Sequence, residues 1–227
     1  MPNHVTNELL AAPHVLAALK SDAELVDFNT VIPMPEILRA FAPNRFAVGW
    51  GEVVMGLVSL APGPPPWSGS PAISAPVDAF RAGDYGVAAD AMHKSCLAKM
   101  VVEGPYLRTC DEEQFEDFVH CCRAVRAHGV TSWYGWCCEH WGTKWNAYEA
   151  VEISGGVRFQ TAWSTPKPVI TALARKFPEE LITIRWADED FGYNVGWAEV
   201  KGEVVRHCDP VGGSAEARQL ATEILGP

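Results

Sequence analysis

Two stretches in the C-terminal half of the chain alternate apolar and polar residues with the period of a β-strand. They run from Tyr148 to Ile153 and from Val157 to Trp163, and Ser154-Gly155-Gly156 lies between them. Glycine pairs between alternating stretches are typical of tight hairpin turns, because glycine accepts positive φ without steric cost. The pattern therefore predicts a β-hairpin over residues 148–163.

The segments that follow this hairpin also have regular periods. Apolar residues at helical spacing predict a helix over residues 168–177, and the preceding Ser164-Thr165-Pro166 is typical of a helix start with a hydroxyl cap. Alternation predicts a strand over residues 181–186 and a second hairpin formed by residues 193–200 and 203–207. An amphipathic helix is predicted over residues 214–225.

The N-terminal and middle sections are predicted to be largely helical after a first strand over residues 5–10. Pro13 suits the first position of a helix that continues to Ala18. An acidic first turn and an apolar stripe predict a helix over residues 111–128, and a shorter helix is predicted over residues 131–141. The predictions for the intervening part are a strand over 53–58, a proline-rich surface loop over 61–76 and a helix over 87–102.

The order strand, helix, hairpin, helix, strand is that of a split βαβ unit, the ferredoxin-like arrangement. We therefore predict an α+β fold, with a ferredoxin-like antiparallel sheet in the C-terminal half and a largely helical N-terminal and middle section. The predicted division is residues 1–130 and residues 131–227. Two arrangements stay open at this point, since the middle section is an insertion into the fold or the sheet belongs wholly to the C-terminal half.

The chain contains several short motifs. The most specific is W-G-T-K-W-N-A-Y over residues 141–148, and the others are Pro2-Asn3 with Val5 and Asn7, I-P-M-P-E over 32–36, T-A-W-S over 161–164, and A-D-E-D-F-G over 187–192. Together they resemble the motifs of the YubB-like (Api-like) proteins carried by phages and plasmids. His4 departs from the pattern, in which we expect an aromatic residue such as tryptophan, and the prolines at 64–66 have no counterpart in it. The resemblance implies a ferredoxin-like C-terminal part and an origin in a mobile element, and it implies no particular reaction.

The composition narrows the classes of function. A net charge of −10 and a pI near 5.1 argue against a general nucleic-acid binder, which would need a basic face. Residues 1–21 show no basic leader followed by an apolar block, and no apolar run reaches the roughly 18 residues of a membrane span. A cytoplasmic location is therefore expected, and the seven cysteines are expected to be buried thiols.

The cysteines and histidines are candidates for a metal site or a nucleophilic site. Structural zinc sites use ligand pairs such as C-x-x-C, whereas the pairs here are adjacent doublets whose members point about 100° apart on a helix. A cysteine nucleophile beside a histidine lacks any sign of an oxyanion hole. The sequence therefore predicts no metal, no cofactor and no catalytic residue. The residues concerned are Cys121, Cys122, Cys137, Cys138, His120 and His140.

The 141–148 motif offers aromatic faces together with an amine and an amide, a combination that can stack on a ring and bind its polar edge. The alternative is a buried structural motif, in which the Lys144 amine pairs with Asp188 or Asp190. The run Asp188-Glu189-Asp190 could hold Mg²⁺, or it could be a solvated turn. The candidate binding residues are Trp141, Lys144, Trp145, Asn146, Tyr148, Asp188 and Asp190.

Aromatic residues of the predicted sheet are candidates for stacking nucleic-acid bases, namely Tyr148, Phe159, Trp163 and Trp186. The strongly negative charge argues against that role. We expect a non-enzymatic accessory protein of a phage or plasmid that binds a host or mobile-element protein, in counter-defence or regulation. The alternative is a small-ligand or nucleotide-binding protein, with or without enzymatic activity, that uses the 141–148 motif.

Overall fold

The computed structural model describes residues 3–39, residue 47 and residues 112–226. The chain forms two compact units, one made of residues 1–35 and 134–227 and the other of residues 36–133. This grouping differs from the division into 1–130 and 131–227 that the sequence suggests, because the first 35 residues belong with the C-terminal part. The predictions for residues 53–58, 61–76 and 87–102 lie outside the described residues.

The first unit contains six strands and most of the described helices. Its strands are β1 (His4–Leu10), β2 (Tyr148–Ile153), β3 (Gly156–Ala162), β4 (Ile182–Asp188), β5 (Val195–Lys201) and β6 (Val204–Cys208). Its helices are α1 (Pro13–Ala17), a 3₁₀ turn (Phe28–Thr30), α5 (Lys167–Lys176) and α6 (Ala215–Leu225). Helix α4 (Trp133–His140) leads into this unit.

All six strands form one antiparallel sheet in the order β2-β3-β1-β4-β5-β6. The N-terminal strand β1 lies between β3 and β4, which is the strand arrangement of a ferredoxin-like fold with β5 and β6 added at one edge. The predicted α+β fold and both predicted hairpins are confirmed. The first strand, β1, is part of the sheet. The sheet therefore does not belong wholly to the C-terminal half, which was one of the two arrangements left open above.

The two faces of the sheet are covered by different helices. One face carries Val157 and Phe159 of β3, Leu9 of β1 and Ile184 of β4. Helices α1 and α5 pack on this face. On the other face, Ala187 and Val195 pack against the apolar side of α6. Successive side chains along each strand point to the two faces in turn.

The second unit contains α2 (Glu36–Arg39) and α3 (Glu112–His128) among the described residues. The prediction of a helix over residues 111–128 is confirmed from Glu112 onward, and Gly129 follows it with φ of 78°. Phe118, Val119 and Val125 are buried, as the apolar stripe predicted. Among the described residues, no helix has the length and apolar content needed to cross a membrane.

The predicted hydroxyl cap of the helix after the first hairpin is wrong. Helix α5 begins at Lys167 with Pro166 in the capping position, and no side chain caps it. The Ser164 hydroxyl instead donates a hydrogen bond to the Gly142 carbonyl and so joins two loops. Helix α6 does have a side-chain cap, because the Ser214 hydroxyl accepts from the Ala217 amide at 3.1 Å.

A charged cluster crosses the three central strands. Glu8 of β1 lies opposite Arg158 of β3 on one side and Arg185 of β4 on the other. Each guanidinium donates two hydrogen bonds to the buried carboxylate, with both Nε–Oε distances at 3.1 Å. Arg158 also donates to the Ile224 carbonyl at 2.7 Å, which ties the end of α6 to the sheet. We call Glu8, Arg158 and Arg185 the central cluster.

The central cluster makes the stability of the fold depend on pH. Burial by itself would raise the pKa of Glu8, but the hydrogen bonds and charges of the two arginines outweigh it and hold the pKa below the usual 4.5. A carboxyl whose pKa is lowered on folding stabilises the folded state above its unfolded pKa, and this contribution is lost as the pH falls through the folded pKa.

We predict that Glu8→Gln lowers the free energy of unfolding at neutral pH by about 3 kcal/mol, because it leaves two partly buried guanidiniums without their anion. The difference between wild type and variant should shrink as the pH is lowered from neutral to below the usual pKa of 4.5 and through the lowered pKa of folded Glu8. Urea unfolding at the two pH values measures both effects. The control is Glu152→Gln, which removes an exposed carboxylate paired with Lys20 and should change stability too little to resolve. Equal effects of the two substitutions would contradict the role of the cluster.

Candidate functional site

Most of the candidate residues meet at one end of the sheet. Strands β1 and β5 begin there, β3 and β4 end there, and the loop that leads into β2 passes over it. The segments involved are residue 3 and residues 141–147, 163–166 and 189–194. We call this region the loop end. The structure separates the candidate residues within it into an inner and an outer group.

Trp141 belongs to the inner group. Its side chain is 2% exposed, and its indole Nε1–H donates to the Ile32 carbonyl at 2.9 Å. The ring packs edge-on against Phe28 and Trp136, with centroid distances of 5.7 and 5.3 Å. A ring with these contacts is part of the core, so Trp141 is not placed to stack on a ligand.

Asn146 also belongs to the inner group. Its Oδ1 accepts hydrogen bonds from the Phe28 and Ala147 amides, both at 2.9 Å, and its Nδ2 donates to Asp27 Oδ1 at 2.8 Å. The side chain thus connects the loop before β2 to the 3₁₀ turn near the N-terminus. An amide used in this way has little capacity left to recognise the polar edge of a base.

Asp188 is the third inner residue. It is 4% exposed, and its carboxylate accepts from Asn3 Nδ2 at 3.1 Å, from Asn194 Nδ2 at 2.9 Å and from the Asp190 amide at 2.9 Å. These bonds use both oxygens and hold the 188–194 turn against the start of β1. Asp188 is thus a buried residue at the end of β4, and only Glu189 and Asp190 of the acidic run are exposed, as a solvated turn would be. No group of three or more potential metal ligands occurs among the described residues.

The described cysteines do not form a reactive pair. Burial raises the pKa of Cys122 and of Cys137 to about 12, so both thiols are protonated at neutral pH and are poor nucleophiles. Cys138 is exposed, and partial burial also raises its pKa, against the opposing effects of Tyr134 and Lys144. His140 stacks on Trp136 with a centroid distance of 4.4 Å.

Lys144 and two tryptophans form the outer group. The Lys144 ammonium lies 4.7 Å from the ring centroid of Trp145 and 4.9 Å from that of Trp163. From the sequence, the Lys144 amine was expected to pair with Asp188 or Asp190 if the motif is structural. In the structure, it makes cation–π contacts with two tryptophan rings instead. Tyr134 packs edge-on against Trp163 at 5.9 Å, and Tyr148 against Trp145 at 6.5 Å.

The backbone of Trp163 has an unusual conformation. Its φ is 74°, a left-handed value that is a genuine outlier for a bulky residue and costs about 1–2 kcal/mol. Two hydrogen bonds hold it there, from the Trp163 amide to the Asn3 carbonyl at 2.9 Å and from Asn194 Nδ2 to the Trp163 carbonyl at 3.0 Å. The side chain so positioned is 41% exposed. The strained backbone therefore directs the Trp163 ring toward the protein surface.

The 188–194 turn adds further exposed groups to the outer surface. Phe191 and Tyr193 are about half exposed, and Glu189 and Asp190 are exposed carboxylates beside them in the chain. Asn194 links this turn to Trp163. We call the outer group, taken together, the loop-end surface. Its members are Tyr134, Lys144, Trp145, Trp163, Glu189, Asp190, Phe191 and Tyr193.

The predicted site and the observed surface overlap in part. Lys144, Trp145 and Asp190 lie on the loop-end surface, and Tyr148 borders it, with its hydroxyl 2.7 Å from His4 Nδ1. Trp163 also lies on this surface, although the sequence suggested it only as a candidate for stacking on nucleic-acid bases. Two other candidates for base stacking, Phe159 and Trp186, are buried. Tyr134, Phe191 and Tyr193 were missed, because nothing in their sequence context distinguishes an exposed aromatic residue from a core one.

Comparison with known proteins agrees with this fold. A family model described as "Ferredoxin-like domain in Api92-like protein" matches residues 140–227. This part of the chain is similar to that domain. The similarity to Api92-like proteins expected from the motifs is thus supported, and the matched range contains every strand of the sheet except β1.

A solved structure described as the crystal structure of a protein Api92 from Yersinia pseudotuberculosis aligns with 94% of this chain and 100% of its own. The alignment has 10% sequence identity and a TM-score of 0.33. No curated protein matches the chain.

Two substitutions in the 141–148 motif should separate its inner and outer parts. Asn146→Ala is expected to lower the free energy of unfolding by about 2–3 kcal/mol, because it removes three hydrogen bonds and leaves the Phe28 amide without its acceptor. Lys144→Ala should cost about 1 kcal/mol or less, the usual range for cation–π contacts at partly exposed sites. Urea unfolding of both variants measures the difference, and a larger loss for Lys144→Ala would show that the lysine is part of the folded framework.

Proposed function

We propose that this protein acts by binding another protein through the loop-end surface. The observation that carries the proposal is the position of the exposed aromatic residues. In the part of the chain that the structure describes, the large aromatic side chains with the greatest exposure are Tyr134, Trp163, Phe191 and Tyr193. The last three lie at the loop end, and Tyr134 of α4 packs against the Trp163 ring. Tyrosine and tryptophan are also the residues that most often dominate the energy of protein–protein contacts.

The strained backbone of Trp163 also supports protein binding through the loop-end surface. A position with φ of 74° is best filled by glycine when stability alone matters. Strain of this kind is commonly retained where a side chain serves in binding or catalysis. Since Trp163 is joined by hydrogen bonds to Asn3 and Asn194, the ring is held ready for contact and little ordering is needed on binding.

The charge of the surface indicates the chemistry of the partner. Glu189 and Asp190 lie beside the exposed aromatic residues, and the whole chain carries a net charge of −10. A partner with basic residues at the contact is therefore favoured by electrostatic complementarity. Following the sequence resemblance, we propose a protein of a bacterial host or of a mobile element as the partner class, with a counter-defence or regulatory role.

The alternative of a small-ligand or nucleotide site receives less support. The amide that would read the edge of a base is used in holding a loop, and the indole of Trp141 is in the core. The Lys144 ammonium faces two rings and is not directed into an open anion site. These contacts favour a surface that receives side chains of a protein.

We expect tagged wild-type protein to retain a partner from bacterial lysate in near-equimolar amount, and Trp163→Gly to lose it. Glycine accepts the left-handed backbone, so this variant should stay folded, as circular dichroism can verify. The matched control is Val204→Ala, which trims an exposed apolar side chain on β6 and should leave capture unchanged.

The captured protein must be identified by mass spectrometry, purified and shown to bind directly, with an affinity that falls as salt increases. Retention by Trp163→Gly equal to that of wild type would overturn the proposed surface. Absence of any partner in near-equimolar amount would count against protein binding altogether.

A further inference from the structure

We infer that Trp145 and Trp163 form a binding site for an organic cation, which Lys144 of the same chain occupies until a basic side chain of a partner replaces it. The inference rests on the proposed function for the source of that cation, a partner arginine. The site itself can be tested without any partner. We call Trp145, Trp163 and the edge-on Tyr134 the aromatic cage.

The geometry of Lys144 is that of a bound cation. Its ammonium lies within 5 Å of two indole centroids, inside the roughly 6 Å over which the negative face of a ring attracts a positive charge. Lys144 takes part in none of the ion pairs formed by the described residues, whereas Lys20, Lys167 and Lys201 each pair with a carboxylate. The attraction that fixes the Lys144 ammonium therefore comes from the rings.

The cage is held by groups other than Lys144. Hydrogen bonds from the Trp163 amide and to its carbonyl fix the left-handed backbone, and Tyr134 packs against the Trp163 ring. The Trp145 carbonyl accepts from the Thr143 hydroxyl at 2.6 Å, and its ring packs against Tyr148. The two rings should therefore stay in place when the lysine ammonium leaves.

Lys144 is suited to be replaced. A lysine has a flexible four-carbon stem, and its ammonium is strongly hydrated, so release into water costs little. A guanidinium is planar and less strongly hydrated, and it stacks on aromatic faces. A partner arginine should therefore outcompete Lys144. The exposed carboxylate of Glu189, which accepts from the His4 amide beside Tyr148, favours the approach of a positive charge.

The test uses small probes and full-length protein labelled at the tryptophan indoles. Tetramethylammonium and N-acetyl-arginine amide are titrated into wild type and Lys144→Ala while the indole N–H signals are followed by NMR, and tert-butanol serves as a neutral probe of similar shape to tetramethylammonium. We expect saturable shifts of two indole signals in Lys144→Ala with both cations. Wild type should bind them at least about fivefold more weakly, because its own ammonium competes.

Trp163→Gly in the Lys144→Ala background should abolish the response, and Lys144→Gln should behave like Lys144→Ala. Equal affinity of wild type and Lys144→Ala would overturn the inference, as would binding of tert-butanol at the same concentration as tetramethylammonium. Failure of these titrations with a retained, Trp163-dependent partner would refute the cage and leave the proposed function intact. Saturable cation binding without any captured protein would support the cage and count against the proposed function.

Discussion

A carboxylate held between two guanidiniums fixes the N-terminal strand in the middle of the sheet. Glu8 faces Arg158 and Arg185 in the register of three adjacent strands, and residues 11–147 lie between β1 and the hairpin that pairs with it. Because strand side chains alternate, a slip of one residue would move Glu8 to the apolar face and Leu9 into the position beside the arginines. The cluster therefore specifies the register of a pairing that is distant in sequence.

The same strand also builds the loop end. Asn3, just before β1, accepts from the Trp163 amide and donates to Asp188, and the backbone of His4 exchanges hydrogen bonds with Glu189. Trp163 and the 188–194 turn thus take their positions from the first residues of the sheet. A substitution that weakens the pairing of β1 should disturb this surface even though Glu8 lies several residues away from it.

Local patterns were sufficient to predict the elements but not their arrangement. Alternation and turn glycines revealed both hairpins, and helical spacing revealed α3, α5 and α6, because each of these signals depends on neighbours in the chain. The order of the strands depends on pairing across residues 11–147, which no local pattern encodes. The central cluster was missed for the same reason, since Glu8, Arg158 and Arg185 are ordinary charged residues until the sheet brings them together.

The 141–148 motif shows a second limit of prediction from the sequence. Its eight residues have no period, so sequence alone does not separate Trp141 in the core from Trp145 near the surface. Asn146 and Lys144 are both polar, yet one is held by three hydrogen bonds inside the fold and the other lies over two rings. The difference arises from contacts with Asp27, Phe28 and Trp163, which are far away in the chain.

Backbone conformation distinguishes Trp163 from the other aromatic residues. Among the described residues, seven glycines adopt positive φ, and only Glu149, Trp163 and Asn194 do so without being glycine. Asparagine tolerates this region well, and Glu149 lies at the irregularity in the pairing of edge strand β2. Trp163 alone combines a bulky side chain with a left-handed backbone and substantial exposure. Glycine would relieve the strain there but would lose the ring contacts with Tyr134 and Lys144, so the contacts of this ring are what the strained backbone serves.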